Sequence, residues 1–261
     1  MRATLRQQVD PFLQGYSASL EGCGLLNVSA CSATQSLPSG GLAVVLYNPG
    51  SMPLSSASVR LPVESTGLAV TDSAGKVVPS QLSSTASSST RGAGTNTPAS
   101  AAYSLLFSAA VPALGSSVYF VKPSSALPQG AAAEEALETP PQSDTMVLQN
   151  DYLKVEFSVS GGGFSSITNL ESGVSTSVKQ EFLWYASYAE KGKQNSGAYI
   201  FRPNSTDTYP VSATPAKLTF VNGSVAQEVR MDVAPWLQAT VRLFAGARTI
   251  EMEYKVSAMW L

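Results

Sequence analysis

The sequence predicts a mainly β fold: a short N-terminal helical remnant, a small β-sandwich, then a large antiparallel β-sandwich. Three observations carry this. Helical spacing is confined to the first 21 residues, where Leu5, Val9, Leu13, Tyr16 and Leu20 recur around an interrupting Pro11. From Cys23 onward the apolar period shifts toward two. The apolar runs are short and turn residues separate them, as in sandwiches.

In order, residues 1–22 are expected to be the end of a helical bundle, with too little of their own to bury against. Residues 23–125 form the small sandwich. Leu42-Ala43-Val44-Val45-Leu46-Tyr47 is a strand ended by Asn48-Pro49-Gly50. Val59, Leu61 and Val63 alternate with Arg60 and Pro62, the proline marking an edge or a bend. Ser83 to Ala99 has almost no large apolar side chain and reads as a flexible surface insertion. Tyr103–Phe107 and Val118–Val121 resume strand character.

Residues 126–144 are a linker in which Ala131 to Leu137 could form a turn or two of helix. The second sandwich, 145–261, opens on Leu153, Val155, Phe157 and Val159, alternating with Lys154, Glu156 and Ser158. Gly161-Gly162-Gly163 turns into Phe164–Asn169; no lysine-serine tail and helix follow, so a hairpin is predicted rather than a phosphate loop. Further strands are expected at 181–185, 197–202, 217–221, 229–233, 238–244 and 250–256.

Composition excludes several functions. Only 13% of residues are charged, against roughly 25% in an ordinary globular domain. The net charge of −2 and the lack of a basic block argue against nucleic acid and anionic membrane surfaces. No apolar run approaches the ~20 residues that span a bilayer. The chain contains no histidine, which removes the commonest general base and the usual zinc ligand. No catalytic and no metal-ligating residue is therefore assigned. A self-contained glycosidase using Glu156 or Glu181 is disfavoured, because Glu156 sits on the polar face of a regular strand.

Cys23 and Cys31, the only cysteines, have a spacing that could close a small loop and read as a disulfide in an oxidising compartment. Asn27, Asn204 and Asn222 head glycosylation triplets. The first eight residues carry no apolar signal core. Sequons and a disulfide without a signal segment suggest that the natural N-terminus lies upstream, and a lone β fragment with open sheet edges is expected to aggregate or to need its other domains.

The most informative stretch is Ser196-Gly197-Ala198-Tyr199-Ile200-Phe201-Arg202-Pro203-Asn204. Its small entry allows close backbone approach, and Pro203 stops a central-strand ladder. That puts Tyr199 and Arg202 near the mouth of a strand, where a phenol and a fork-shaped cation can meet a ligand. On the residues alone, Tyr199 and Phe201 as core aromatics is the competing reading. The nonamer, together with Gln180-Glu181-Phe182-Leu183-Trp184-Tyr185, Gln227-Glu228-Val229, Leu46-Tyr47-Asn48-Pro49 and Val59-Arg60-Leu61-Pro62-Val63, resembles the C-terminal half of the lysosomal α-mannosidases of glycoside hydrolase family 38.

The resemblance implies a truncated large sandwich of the galactose-mutarotase-like type and a fragment of a retaining, zinc-dependent α-mannosidase acting on terminal α-linked mannose of glycans. In that family an Asp nucleophile and the zinc lie in a separate N-terminal catalytic domain, implied here as a missing partner. Zinc then belongs to the full-length enzyme, none to this chain. Tyr199 is implied as a substrate-binding residue on one wall of the mannose pocket; Arg202 receives no sugar contact. Cys23 and Cys31 match a Cys-x7-Cys stretch around the Asn27 sequon, implying a disulfide. The implied compartment is the lysosome or vacuole lumen. The alternative is a non-catalytic carbohydrate-binding sandwich with Tyr199, Trp184 and Tyr185 as its platform.

Overall fold

Strand alternation builds four larger sheets and a two-stranded fifth. The computed structural model describes residues 20–26, 29–85, 100–124, 136–137, 143–197 and 199–256. The expected helix over residues 1–21, except its last two positions, lies outside them. So do Asn27 and most of the 83–99 segment. After one helical turn, α1 (Ser32–Gln35), seven strands follow: β1 (Leu42–Asn48), β2 (Leu54–Val63), β3 (Leu68–Asp72), β4 (Val77–Val78), β5 (Ser80–Ser84), β6 (Tyr103–Val111) and β7 (Gly115–Pro123). They form two antiparallel sheets, ordered β1-β7-β3-β4 and β2-β6-β5. β2 pairs with β6 alone, which places Pro62 on an edge strand, where its missing N–H does least harm.

The inner faces of these sheets close over Val59, Leu61, Val63, Leu105, Phe107 and Val121. Successive strand residues point to opposite faces, so Leu106 turns away from that core. It packs instead on Val225, Ala226 and Phe244 of the second sandwich. β6 is thus buried on both sides, and its run Ser104-Leu105-Leu106-Phe107 is accordingly unbroken in burial.

The second sandwich uses β8 (Ala136–Leu137), β9 (Thr145–Gln149), β10 (Leu153–Ser158), β11 (Gly163–Asn169) and β12 (Ser175–Ser177). It continues with β13 (Leu183–Trp184), β14 (Tyr209–Pro210), β15 (Lys217–Asn222), β16 (Ala226–Ala234), β17 (Leu237–Phe244) and β18 (Glu251–Val256). A sheet ordered β12-β11-β10-β9 faces one ordered β18-β17-β16-β15-β8. Val155 and Phe157 from the first meet Val229, Met231, Val241 and Leu243 from the second, all at most 1% exposed. Phe157 and Phe164 pack with ring centroids 4.7 Å apart. At the β10–β11 turn Gly162 has φ +67°, and a Cβ there would stand 2.3 Å from the Ala216 nitrogen. Only glycine fits.

Four expectations are corrected. Ala136 and Leu137 are strand rather than helix, because β15 offers an open edge: Leu137 pairs with Phe220. Ser83 and Ser84 belong to β5 rather than to a flexible insertion, and Ser83 is buried between the sandwiches. The strand expected at 181–185 shrinks to the two residues of β13. Gly197 and residues 199–202 form no regular strand, for reasons given below.

The alternation of β18 is also inverted. Met252, Tyr254 and Val256 lie exposed at the edge of their sheet, while Glu253 turns inward to Arg60 at 3.1 Å. Cys23 and Cys31 are joined in a disulfide, with Cα atoms 5.0 Å apart. Among the described residues no helix is long and apolar enough to cross a membrane.

Two kinds of contact lock the sandwiches together. One is an amide clasp: Gln81 accepts from the N–H groups of Val225 and Ala226 at 3.1 and 3.0 Å and donates to the Ala226 carbonyl at 3.0 Å. Gly223 lies under it, where any Cβ would sit 2.0 Å from the Gln81 side chain. The other is charged. Glu228, 1% exposed, accepts from Arg242 at 2.6 Å, from Arg230 at 3.0 Å and from the Ser83 hydroxyl at 3.3 Å. A buried carboxylate of this kind requires such partners, since burial alone would drive it to take up a proton.

Candidate functional site

The signature stretch lies toward the tip and on the returning arm of an irregular hairpin whose base is β13–β14. There Trp184 packs on Tyr209, ring centroids 4.8 Å apart and both about half exposed. Beyond this base the chain pairs sparsely: Ser187 bridges Pro203, and the N–H groups of Tyr188 and Asn204 donate to the carbonyls of Arg202 and Ala186, each at 2.9 Å. Pro203 lacks an N–H, so no regular ladder passes through it.

Above the bridge Ser196 and Arg202 tie off a smaller loop. The Arg202 N–H donates to the Ser196 hydroxyl at 3.0 Å, and that hydroxyl donates to the Arg202 carbonyl. Gly197 and Ile200 then exchange backbone hydrogen bonds of 3.1 and 3.3 Å, closing a tight turn. This reciprocal pair is why no strand runs through 197–202. Arg202 does not face outward as a ligand group. Its guanidinium lies 4.1 Å over the centroid of the Tyr188 ring and donates to the Gln194 carbonyl, bracing the loop from within.

Tyr199 stands at the tip of the turn and is 101% exposed. Phe201 beside it is 76% exposed and meets Tyr185 edge-on, centroids 5.2 Å apart. An open concavity of about 490 Å³ is lined by Tyr185, Ser187, Ser196, Tyr199, Phe201 and Pro203 among others. Its described lining holds phenols, hydroxyls and rings and no carboxylate. Such a surface can hold a sugar by stacking and by hydroxyl hydrogen bonds, but it has no acid–base pair to cleave one.

The acid of this loop, Glu190, and the two carboxylates considered from the sequence, Glu156 and Glu181, are all engaged. Glu190 is held below the usual carboxylate range, first by the Tyr188 hydroxyl and then by Lys193. Glu156 is lowered by Lys154, 2.6 Å away, and by the Ser166 hydroxyl; Glu181 pairs with Lys179 at 3.0 Å. Among the described residues no group of three or more His, Cys, Asp or Glu could hold a metal ion, so these residues do not fit zinc. Asn204 and Asn222 are exposed. Trp184 and Tyr209, which the sequence alone did not pair, are joined by the Leu183–Pro210 register.

Comparison with known proteins supplies the context. Residues 148–260 match the Glycosyl hydrolases family 38 C-terminal domain. The chain is 34% identical to lysosomal alpha-mannosidase of Bos taurus over 246 residues, 94% of this chain and 22% of that protein. It is 31% identical to lysosomal alpha-mannosidase of Dictyostelium discoideum over 250 residues, 88% of this chain and 23% of that one. Among solved structures, an alpha-mannosidase from Enterococcus faecalis superposes with a TM-score of 0.44 at 13% identity, covering 85% of this chain and 30% of that one. The chain spans about a quarter of the length of the curated relatives it matches. About one position in three is shared with lysosomal alpha-mannosidases along most of this chain, and residues 148–260 carry the C-terminal domain of glycosyl hydrolases family 38.

Proposed function

We propose that this chain is the β-sandwich portion of a retaining, zinc-dependent α-mannosidase that removes terminal α-linked mannose from glycans in a lysosome or vacuole lumen. Its share of the work is scaffold and one wall of the sugar pocket. Zinc and the carboxylates that attack the sugar come from polypeptide outside these residues. The observation that carries the reading is Tyr199: a fully exposed phenol on a braced turn. A free phenol costs exposed apolar area unless another surface covers it, and its hydroxyl can exchange one hydrogen bond with a sugar. The division into a remnant at 1–22, sandwiches at 23–125 and 145–261 and a linker at 126–144 belongs to this proposal, as do glycans on Asn27, Asn204 and Asn222.

Two measurements test it. The purified chain should hydrolyse no chromogenic α-mannoside, with or without added zinc; turnover that survives repurification overturns the division of labour. In a chimera where this chain replaces the matching segment of the bovine relative, Tyr199→Phe should lower kcat/KM roughly three- to tenfold, the worth of one hydrogen bond. An unchanged kcat/KM overturns the role of Tyr199. The alternative, a free-standing carbohydrate-binding module, rests on the exposed Trp184–Tyr209 pair and requires the isolated chain to bind mannose with loss on Trp184→Ala.

A further inference from the structure

Between the outer faces of the β2-β6-β5 and β15–β18 sheets lies a second, much smaller cavity of about 40 Å³, sharing no lining residue with the aromatic concavity. Four cations line it, Arg60, Arg230, Arg242 and Lys255, against three carboxylates, Glu228, Asp232 and Glu253. Each guanidinium has a fixed acid. Arg60 meets Glu253 at 3.1 Å, Arg230 meets Glu228 at 3.0 Å, and Arg242 meets Glu228 at 2.6 Å. Arg242 is also approached by Glu253 at 3.7 Å and, from the exposed edge, by Glu251 at 3.6 Å. Asp232 is held by the Gln238 amide at 2.8 Å.

The side chain of Lys255 alone of the four cations makes no hydrogen bond and no ion pair with any described residue, although the residue is partly buried. Burial first, and the guanidiniums of Arg60, Arg230 and Arg242 after it, disfavour its charge; only Glu253 opposes them. With Glu251 counted, four carboxylates face the four cations, but Glu228, Glu251 and Glu253 gather on the arginines and leave the Lys255 ammonium without an acid in ion-pair contact among the described residues. The space is small. A water needs about 10–15 Å³ of such volume, so the cavity takes one halide-sized ion with a water or two and excludes a sugar or a phosphate ester. The lining hydroxyls of Ser29 and Ser104 are of the type that donates to an anion, whereas that of Thr85 already donates to the Ala101 carbonyl.

We propose that this seam cavity is a binding site for one small monovalent anion of halide size, held by Lys255 within the field of the three arginines. The anion would supply the partner that the Lys255 ammonium lacks and clamp the two sandwiches together. This site is independent of any sugar contact at Tyr199.

The test compares melting of the whole chain in sodium chloride and in sodium gluconate at equal ionic strength, alongside the ³⁵Cl linewidth of the chloride sample. A ligand at ten times its Kd raises the melting temperature of a chain this size by roughly 3 °C or more. The expected result is a chloride-over-gluconate rise of that order, excess ³⁵Cl broadening, and displacement of that broadening by sodium bromide. Lys255→Met should abolish all three, and Lys255→Arg should keep them. Equal melting in both salts without broadening overturns the site, and that arm needs no variant. A chloride response that persists in Lys255→Met overturns the assignment to Lys255.

Discussion

Glu228→Gln tests the charged seam directly. The substitution keeps the side-chain shape and removes the charge that faces Arg242 at 2.6 Å and Arg230 at 3.0 Å. Arg242 is only 6% exposed, so it cannot recover its lost partner from water. Removing one member of a buried pair costs about 3–5 kcal/mol. The residual carboxylates at 3.6 and 3.7 Å put the expected loss at the lower end, about 3 kcal/mol. At roughly 2–4 °C per kcal/mol the melting temperature should fall by about 6–12 °C. The assay is a thermal melt followed by circular dichroism at neutral pH. Replacing the pair together, Glu228→Met with Arg242→Met, should recover much of the loss, since no buried charge is then left facing its missing partner.

Acid adds a second handle. Burial alone would raise the Glu228 carboxyl, but Arg242 and Arg230 outweigh it and hold it below its ordinary value of 4.5. A depressed folded value stabilises above the unfolded value and is lost as pH falls through the folded one. The parent should therefore lose stability below about pH 4.5 in a segment that Glu228→Gln lacks. A Glu228→Gln chain that melts within 2 °C of the parent, with an unchanged acid profile, would refute the reasoning.

Other outcomes follow from single positions. Tyr199→Ala should leave the melting temperature within about 1 °C, because a fully exposed ring contributes nothing to the core; a larger fall measured by calorimetry counts against its free placement. Arg202→Ala should leave global stability nearly intact, yet speed amide exchange at Tyr188 and Arg202, whose loop it braces. Gly162→Ala should cost roughly 2 kcal/mol or more in urea unfolding, because both its positive φ and the Ala216 backbone oppose a Cβ. Cys31→Ser should cost about 2–3 kcal/mol, the loop-closure term for so short a ring, read as a lower urea midpoint.

The legible parts of the sequence are those where one face of a strand meets solvent. β10 could be placed because Leu153, Val155 and Phe157 are buried and Lys154, Glu156 and Ser158 are not. Pro62 marked an edge for the same local reason. What stayed hidden depends on a second burial event. Glu228, Arg242 and Ser83 have the look of solvated residues, and only the stacking of one sandwich on another takes them out of water. β18 shows the same effect inverted, with charges inward and Met252, Tyr254 and Val256 outward. Within the candidate site, Tyr199 could be singled out from its neighbours, but the turn that carries it could not. Its closure relies on the Gly197–Ile200 exchange and on Arg202 folding back over Tyr188, neither of which has a periodic signature.

The Gln81 clasp also constrains how this chain can vary through evolution. One uncharged amide reads two N–H groups and a carbonyl of the opposite sandwich, over a glycine that leaves no space for a methyl. Salt and acid that loosen the arginine–carboxylate contacts leave such a fastening untouched. Lineages that drift at position 81 should therefore be released from glycine at 223, and the two sites should change as a linked pair even where everything between them diverges.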